Sequence, residues 1–577
     1  MGFLKKLSPL WLWFAVAFVV RVVAASGNSR WNHPDEWFQT VEFSNLMLNG
    51  VASFTSEISL HMRNLSWPAL LTLPLSLARL LGSDWVGARF YAVEIFTAIL
   101  DLGIVWGFWQ CLQALSKQRD FPPVLKGWLP WTPALVLLPW FATVDSLRPS
   151  QEHLSAIALW ITLGALCRDW YSVAGFFCVA VGAFKYPAGT LSLGIFCTMG
   201  LRWILKRDSL KLYVRYLLGV AAGGLVFGLA DWVFYGRPWE SLWMYSLFNV
   251  FTDLSSRFFG AQSGVIYLDY LKGHWGGALS FVGIPIAALC LPGLWFGLKQ
   301  LQPWALALVF YVLAHWSVPH KESRFIIPVE YLWVWAGLQG FVMLASVPVM
   351  RDMAESIWRR PWFRRVISGV VGLSLLLNAV FFARGLWGER WIANETFFEV
   401  NRHLRENPGV CAVVSVRRPI SLSLPGPGDR VPLPAFAYFP AERREPVFPQ
   451  LAVRPLIWIE AQPQCSAESV ILLHQHKPDS GWEERGCRML SSGVLKYVPL
   501  TFWGDLVEKN WVSGTWYRCP PTILGAFSKS ETRGILKRGF DRLPVLPSWR
   551  TSGDELLALY TRLKIQLNLA DGTLGDW

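Results

Sequence analysis

The 577-residue chain is 53% hydrophobic and 15% aromatic but only 16% charged, well below the roughly 25% charged share of soluble domains, which excludes a water-soluble multidomain enzyme. The net charge of +13 does not indicate nucleic acid: residues 1–385 hold 30 Lys/Arg against 20 Asp/Glu, and basic loops beside membrane spans are the ordinary source of such an excess. Residues 386–577, with 23 Lys/Arg and 20 Asp/Glu, are denser in charge, so the chain reads as a helical membrane part, 1–385, followed by a soluble C-terminal domain, 386–577, of α/β type.

Lys5 and Lys6 followed by an apolar run to Ala25 resemble a signal peptide, but the many runs that follow favour an uncleaved first span. Runs suited to crossing a bilayer, which takes about 20 residues with latitude, lie at 10–25, 88–110, 128–143, 152–167, 170–184, 188–205, 212–234, 277–298, 302–319, 325–347 and 366–384. That gives about eleven transmembrane helices. A further run, 67–81, is short and contains Pro68 and Pro74; it reads as a helix lying on or dipping into the membrane. This parity puts Lys5, Lys6 and the basic loops at 117–126, 168, 202–215, 299 and 351–365 on the cytoplasmic side, as the positive-inside rule expects. The loops 26–87, 231–276 and 319–324 and the tail then face outward. In the tail, apolar runs at 410–416, 456–459 and 470–473 read as short strands. Five cysteines in apolar stretches read as inert thiols. Cys411, Cys465, Cys487 and Cys519 form two disulfides, in any of three pairings, if the tail faces an oxidising compartment.

Two outward segments concentrate chemistry. The first runs Trp31-Asn32-His33-Pro34-Asp35-Glu36-Trp37-Phe38-Gln39. Pro34 favours extended backbone at His33, and Trp37, Val41, Ser44 and Leu48 recur at helical spacing. Asp35 is then open to two readings: an N-cap for that helix, or, with Glu36, a general base at the membrane edge. His33 and Asp35 are too few ligands to argue for a metal. The second segment, Pro319-His320-Lys321-Glu322-Ser323-Arg324-Phe325, joins two spans. It reads either as a snorkelling anchor or as a phosphate cradle built on charge-assisted hydrogen bonds. Its outward cations run against the charge bias of the other loops, which favours phosphate. Arg63, Arg148, Glu152, Lys185 and Asp231 lie on the same expected face.

Taken in order, His33-Pro34-Asp35-Glu36-Trp37-Phe38-Gln39, Arg63 with Trp67-Pro68, Asp231 with Tyr235-Gly236, Phe248-Asn249-Val250, Gly260 and His320-Lys321-Glu322-Ser323-Arg324-Phe325 strongly resemble the hallmarks of glycosyltransferase family 22. Within it they are most like the glycosylphosphatidylinositol mannosyltransferases of the third and fourth mannose. The resemblance covers residues 10 to 345; the segment 146–152 matches the family only loosely, and the tail shows no resemblance. It implies a GT-C fold and an inverting mannosyltransferase. The implied donor is polyprenyl- or dolichyl-phosphate mannose, and the acceptor a lipid-linked glycan or glycolipid on the extracytoplasmic face.

On this reading Asp35 and Glu36 are catalytic. His320, Lys321, Arg324, Arg148 and Lys185 hold the donor phosphate, while His33, Arg63, Glu322 and Asp231 bind substrate. No cofactor is expected, because the leaving group is already a lipid phosphate and a metal is not chemically required. The partners expected are the lipid donor, the lipid-linked acceptor and membrane lipid, without nucleic acid, in a bacterial inner membrane or the endoplasmic reticulum. The competing reading is a transporter or flippase of a lipid-linked anion. It fits less well, since such proteins commonly hold substrate near the midplane between repeats, whereas here the ionisable clusters gather at one face.

Overall fold

The computed structural model describes residues 9–27, 40–49, 61–81, 86–118, 121, 123–126, 129–133, 147–251, 263–267, 280–349, single positions between 356 and 376, and 410–416, 468, 470–475, 480–492 and 515–522. Its helices are α1 (Pro9–Gly27), the short α2 (Glu42–Asn49), α3 (Ser66–Leu80), α4 (Val86–Ser116), α5 (Gln151–Cys167), α6 (Tyr171–Phe184), α7 (Gly189–Ile204), α8 (Leu210–Tyr235), α9 (Glu240–Ser246), α10 (Ser280–Lys299), α11 (Pro303–Ser317) and α12 (Ile327–Ser346). Among the described residues, three segments, Tyr91–Ser116, Leu210–Tyr235 and Arg324–Ser346, are long and apolar enough to cross a membrane, and α1, α6, α10 and α11 contain shorter apolar stretches. Nine of the expected spans are helices among the described residues. Those at 128–143 and 366–384 lie largely outside them.

Burial follows the logic of a helix bathed in lipid, where apolar side chains face out and the few polar ones face in. On α8 the buried positions Tyr216, Gly219, Gly223, Phe227 and Asp231 recur every three or four residues, while Leu218, Leu225, Leu229, Trp232 and Val233 are exposed. The stripe ends where Gly236 takes a left-handed conformation, φ 82°, and its N–H donates to the Trp232 carbonyl at 2.9 Å. The segment expected to lie on or dip into the membrane is α3. It buries Trp67, Leu71 and Leu75, packs on α2 and α4, and leaves Leu73, Leu77 and Leu80 outside.

Helices in lipid gain little from the hydrophobic effect when they associate, so close approach at small residues carries the packing. A Cβ on Gly219 of α8 would stand 1.9 Å from the Ser172 carbonyl oxygen of α6, and one on Gly107 of α4 would stand 2.0 Å from that of Trp160 on α5. Gly293 of α10 meets Ala336 of α12 in the same way. Helix α5 sits at the middle of the bundle, packed on α4, α6 and α12, and is buried along most of its length.

The antiparallel succession gathers the start of α5, the ends of α6, α8 and α11 and the start of α12 at one end of the bundle. The other end carries Arg168, Arg202, Arg207, Lys211, Arg215 and Lys299. There Arg202 pairs with Asp208 at 2.7 Å, and Arg207 donates to the Gln300 carbonyl at 3.1 Å, tying two loops together. In the tail, β1 (Val410–Val416), β2 (Val470–Gln475), β3 (Arg488–Ser492) and β4 (Thr515–Cys519) form one sheet in the order β1-β2-β4-β3. The β1–β2 pair is parallel and the other two pairs are antiparallel. The strand expected at 456–459 lies outside the described residues; β3 and β4 were not anticipated, because polar and charged residues interrupt their apolar pattern. Cys487 and Cys519 are joined by a disulfide.

Gly219→Val is expected to force α6 and α8 apart and cost about 1–3 kcal/mol or more. Thermal unfolding in detergent measures this, and an unchanged midpoint contradicts the close-contact account.

Candidate active site

Ser150 caps α5, its hydroxyl accepting from the His153 N–H at 3.2 Å. That cap sets Glu152 in the first turn, where the helix dipole favours an anion. Lys185 follows α6 at a residue whose extended backbone, φ −143° and ψ 108°, ends the helix before the Tyr186–Ala188 turn. Its ammonium lies 2.7 Å from the Glu152 carboxylate, and Arg324, just before α12, lies 3.5 Å from the same oxygen. Three segments distant in sequence therefore meet at one buried carboxylate.

The 319–324 turn completes the cluster. Arg324 Nε donates to Glu322 Oε2, and His320 Nε2 donates to Glu322 Oε1 at 3.0 Å. Lys185 and Arg324 both lie over the Phe325 ring, at 5.2 and 5.7 Å. Accessibility grades across the site: Glu152 and Lys185 are 3% and 4% exposed, Arg324 12% and Glu322 28%. Lys321 is 4% exposed and donates to the Val318 carbonyl, so it is not a side chain reaching into water as a snorkelling anchor does. Tyr311 donates to the Phe325 carbonyl and stacks on His315 at 3.8 Å. Burial, and then the Glu322 charge, push the Tyr267 hydroxyl up, which keeps it protonated.

Beside this cluster, Arg63 Nη1 donates to Gln151 Oε1 at 3.4 Å, and its guanidinium lies 5.9 Å over the Tyr245 ring. Asp231 is wholly buried and accepts from Asn64 Nδ2 at 2.8 Å and from the Ser241 N–H at 3.0 Å, as well as from the Ser241 hydroxyl. Because Ser241 gives its proton to Asp231, Tyr186 donates to Ser241. Burial, reinforced by Asp231, pushes the Tyr186 hydroxyl well up. Both Asp231 oxygens thus hold α9 and the approach to α3 against α8. Tyr235 adds a hydrogen bond to the Arg63 carbonyl at 2.8 Å.

The structure brings His320, Glu322, Arg324 and Lys185 into one connected group, with Lys321 in the same turn and Arg63 one residue contact away through Gln151. Arg148 is half-buried in the segment that leads into α5. His33, Asp35 and Glu36 lie outside the described residues. Sequence reasoning gave no role to Gln151, Tyr186 or Ser241, and nothing in an uncharged side chain marks it out; Asn64 heads an Asn-Leu-Ser sequon, but here it is buried and donates to Asp231. It also passed over a buried group between α1, α4 and α5: Arg21 pairs with Asp101, and His153 Nε2 lies 2.8 Å from Asp101 Oδ1, all three 1% exposed or less. A signal existed there, since Arg21 and Asp101 interrupt apolar spans. Among the described residues, no group of three His, Cys, Asp or Glu side chains is placed to hold a metal ion.

A family model described as the Alg9-like mannosyltransferase family matches residues 11–385. GPI alpha-1,2-mannosyltransferase 3 of Danio rerio is 28% identical over 337 residues, covering 56% of this chain and 57% of the relative. GPI mannosyltransferase 3 of Candida albicans is 24% identical over 380 residues, covering 63% and 71%. The chain thus spans little more than half the length of the zebrafish relative. Among solved structures, that of ArnT from Cupriavidus metallidurans bound to undecaprenyl phosphate is similar, with a TM-score of 0.51 at 13% identity, covering 88% of this chain and 97% of that one. At that identity the likeness shows the fold, which is of GT-C type.

Glu152→Ala is expected to cost about 3–5 kcal/mol, because it strips Lys185 of its nearest counter-charge in a buried setting. Adding Lys185→Met to Glu152→Ala should recover most of that loss. Thermal unfolding of both variants in detergent checks this, and equal losses would overturn the pairing.

Proposed function

The chain belongs to the Alg9-like mannosyltransferase family, and on that premise we propose that it transfers mannose, with inversion, from a polyprenyl- or dolichyl-phosphate mannose donor to a lipid-linked glycan or glycolipid. The observation that carries the reading is the meeting of Lys185 and Arg324 at Glu152, beside His320 and the more accessible Glu322, at one end of the helix bundle. An isoprenoid chain resting in lipid would bring its phosphate to that depth. The undecaprenyl phosphate bound to the similarly folded ArnT supports a lipid phosphate as ligand, and the names of the relatives support mannose as the sugar.

The chemistry follows from the donor. As the bond between mannose and phosphate breaks, negative charge grows on the departing phosphate, and Lys185, Arg324, Lys321 and His320 stabilise that charge in place. Arg148 stands on the segment leading into Glu152 and is assigned to the same phosphate. Asp35 takes the proton of the acceptor hydroxyl as general base, with Glu36 as the alternative. His33, Arg63 and Asp231 line or brace the acceptor side, while Glu322 contacts substrate from beside Arg324 and His320. No step calls for a metal, since the leaving group departs as a lipid phosphate held by fixed cations. The opposite end of the bundle carries the denser basic loops, which supports an extracytoplasmic site. The 386–577 region, on the same side, would meet the acceptor.

The test incubates membranes containing the full chain with labelled polyprenyl-phosphate mannose and candidate lipid acceptors and identifies the product. Arg324→Gln should raise the donor KM at least tenfold, the scale of one charge-assisted hydrogen bond of about 1.5–3 kcal/mol; unchanged donor dependence would remove the phosphate role. Asp35→Asn should abolish transfer while donor binding persists. Near-normal turnover by that variant defeats the base assignment.

A further inference from the structure

The cations of the phosphate site already hold protein carboxylates. Arg324 contacts Glu152 at 3.5 Å and, through its Nε, Glu322, which also accepts from His320 at 3.0 Å. A phosphate that engages Arg324 and His320 must share them with these carboxylates or displace one. The two are not equally held. Glu152 stands in the first turn of α5, 3% exposed, with Lys185 at 2.7 Å. Glu322 is 28% exposed and lies in extended backbone, φ −131° and ψ 145°, just ahead of the Ser323–Ile326 turn. Glu322 is therefore the carboxylate that stays beside an entering phosphate and shares Arg324 and His320 with it.

We propose that Glu322 is a built-in competitor for the phosphate site, one that favours the singly charged lipid-phosphate diester over the doubly charged lipid-phosphate monoester and so promotes release of the spent carrier. This rests on the donor reading above. Its physical basis is the arithmetic of charge. A phosphate diester carries one negative charge, whereas a monoester, with a second pKa near 6, carries close to two at neutral pH. Repulsion from a nearby carboxylate scales with that charge, so any factor by which Glu322 weakens the diester is roughly squared for the monoester. The site would otherwise bind its product more tightly than its substrate, because fixed cations favour the dianion. Glu322 offsets that preference while the Lys185–Glu152 pair stays in place and Arg324 and His320 meet the phosphate that enters.

The experiment uses the full chain in lipid nanodiscs at pH 8, with dolichyl monophosphate and its monomethyl ester as competitors of labelled donor. Glu322→Gln, which keeps the side-chain shape, should tighten both, and should tighten the monoester roughly tenfold more than the methyl ester, between the water-screened and protein-surface limits for one unit charge at about 4 Å. Glu322→Ala should give the same ratio if the glutamine variant fails to fold, and Glu322→Asp should keep that of the parent chain. Equal tightening of both probes, or none, overturns the competitor role and leaves the donor reading standing. If neither probe competes with donor in the parent chain, the donor reading fails and this proposal with it.

Discussion

A carboxylate placed in a nearly dry site has to be neutralised by fixed partners, and Glu152 obtains them from Lys185 at 2.7 Å and Arg324 at 3.5 Å. Each partner is delivered by the end of a different element, so the pairing is met only when α5, α6 and the turn before α12 stand together. Removing charge from water costs several kcal/mol per ion, and the attraction offsets that only where the geometry is good. The Ser150 cap and the dipole of α5 add to the stabilisation of the same carboxylate. Under the proposed function the same cations meet the donor phosphate, so that one interaction would serve both assembly and chemistry.

A second charged group does comparable structural work deeper in the bundle. Arg21 is buried on α1 and Asp101 on α4, and either alone in an apolar span would be costly. Together, with His153 of α5 at 2.8 Å from Asp101, they specify which faces of α1, α4 and α5 meet. His153 directly follows Glu152, so the ion group and the Glu152 cluster share one helical turn. The register of α5 that satisfies Asp101 is therefore the register that presents Glu152 to Lys185 and Arg324.

Packing allows this register to be held closely. At Gly107 the α4 backbone approaches α5 nearer than any side chain permits, and at Gly219 the α8 backbone does the same with α6. Asp231, at the end of the buried stripe of α8, ties α9 and the chain before α3 to that helix through Asn64 and Ser241. Arg63, next to Asn64, is thereby carried to Gln151 and the rim of the cluster. Backbone contact, buried polar links and the ion pairs act on the same few helix ends, which is how a bundle in lipid gains a defined polar site without a large hydrophobic driving force.

Much of this was legible from the amino-acid order. Apolar length located the helices, because each span must satisfy its own backbone within the bilayer. The crowding of four ionisable residues between two spans marked 319–324, because its outward cations run against the charge bias of the other loops. The sequence also carried the family resemblance, which the match to residues 11–385 upholds. What it did not contain was pairing. Glu152 and Lys185 read as separate edge charges and Asp231 as a substrate contact, since nothing in one dimension says which helix ends will touch. Tertiary structure decided that Lys185 and Arg324 share Glu152, that Asp231 spends both oxygens on its neighbours, and that Arg21 meets Asp101. The reason is that a buried charge is stabilised by distance to its partner, and such distances exist only once the helices have packed.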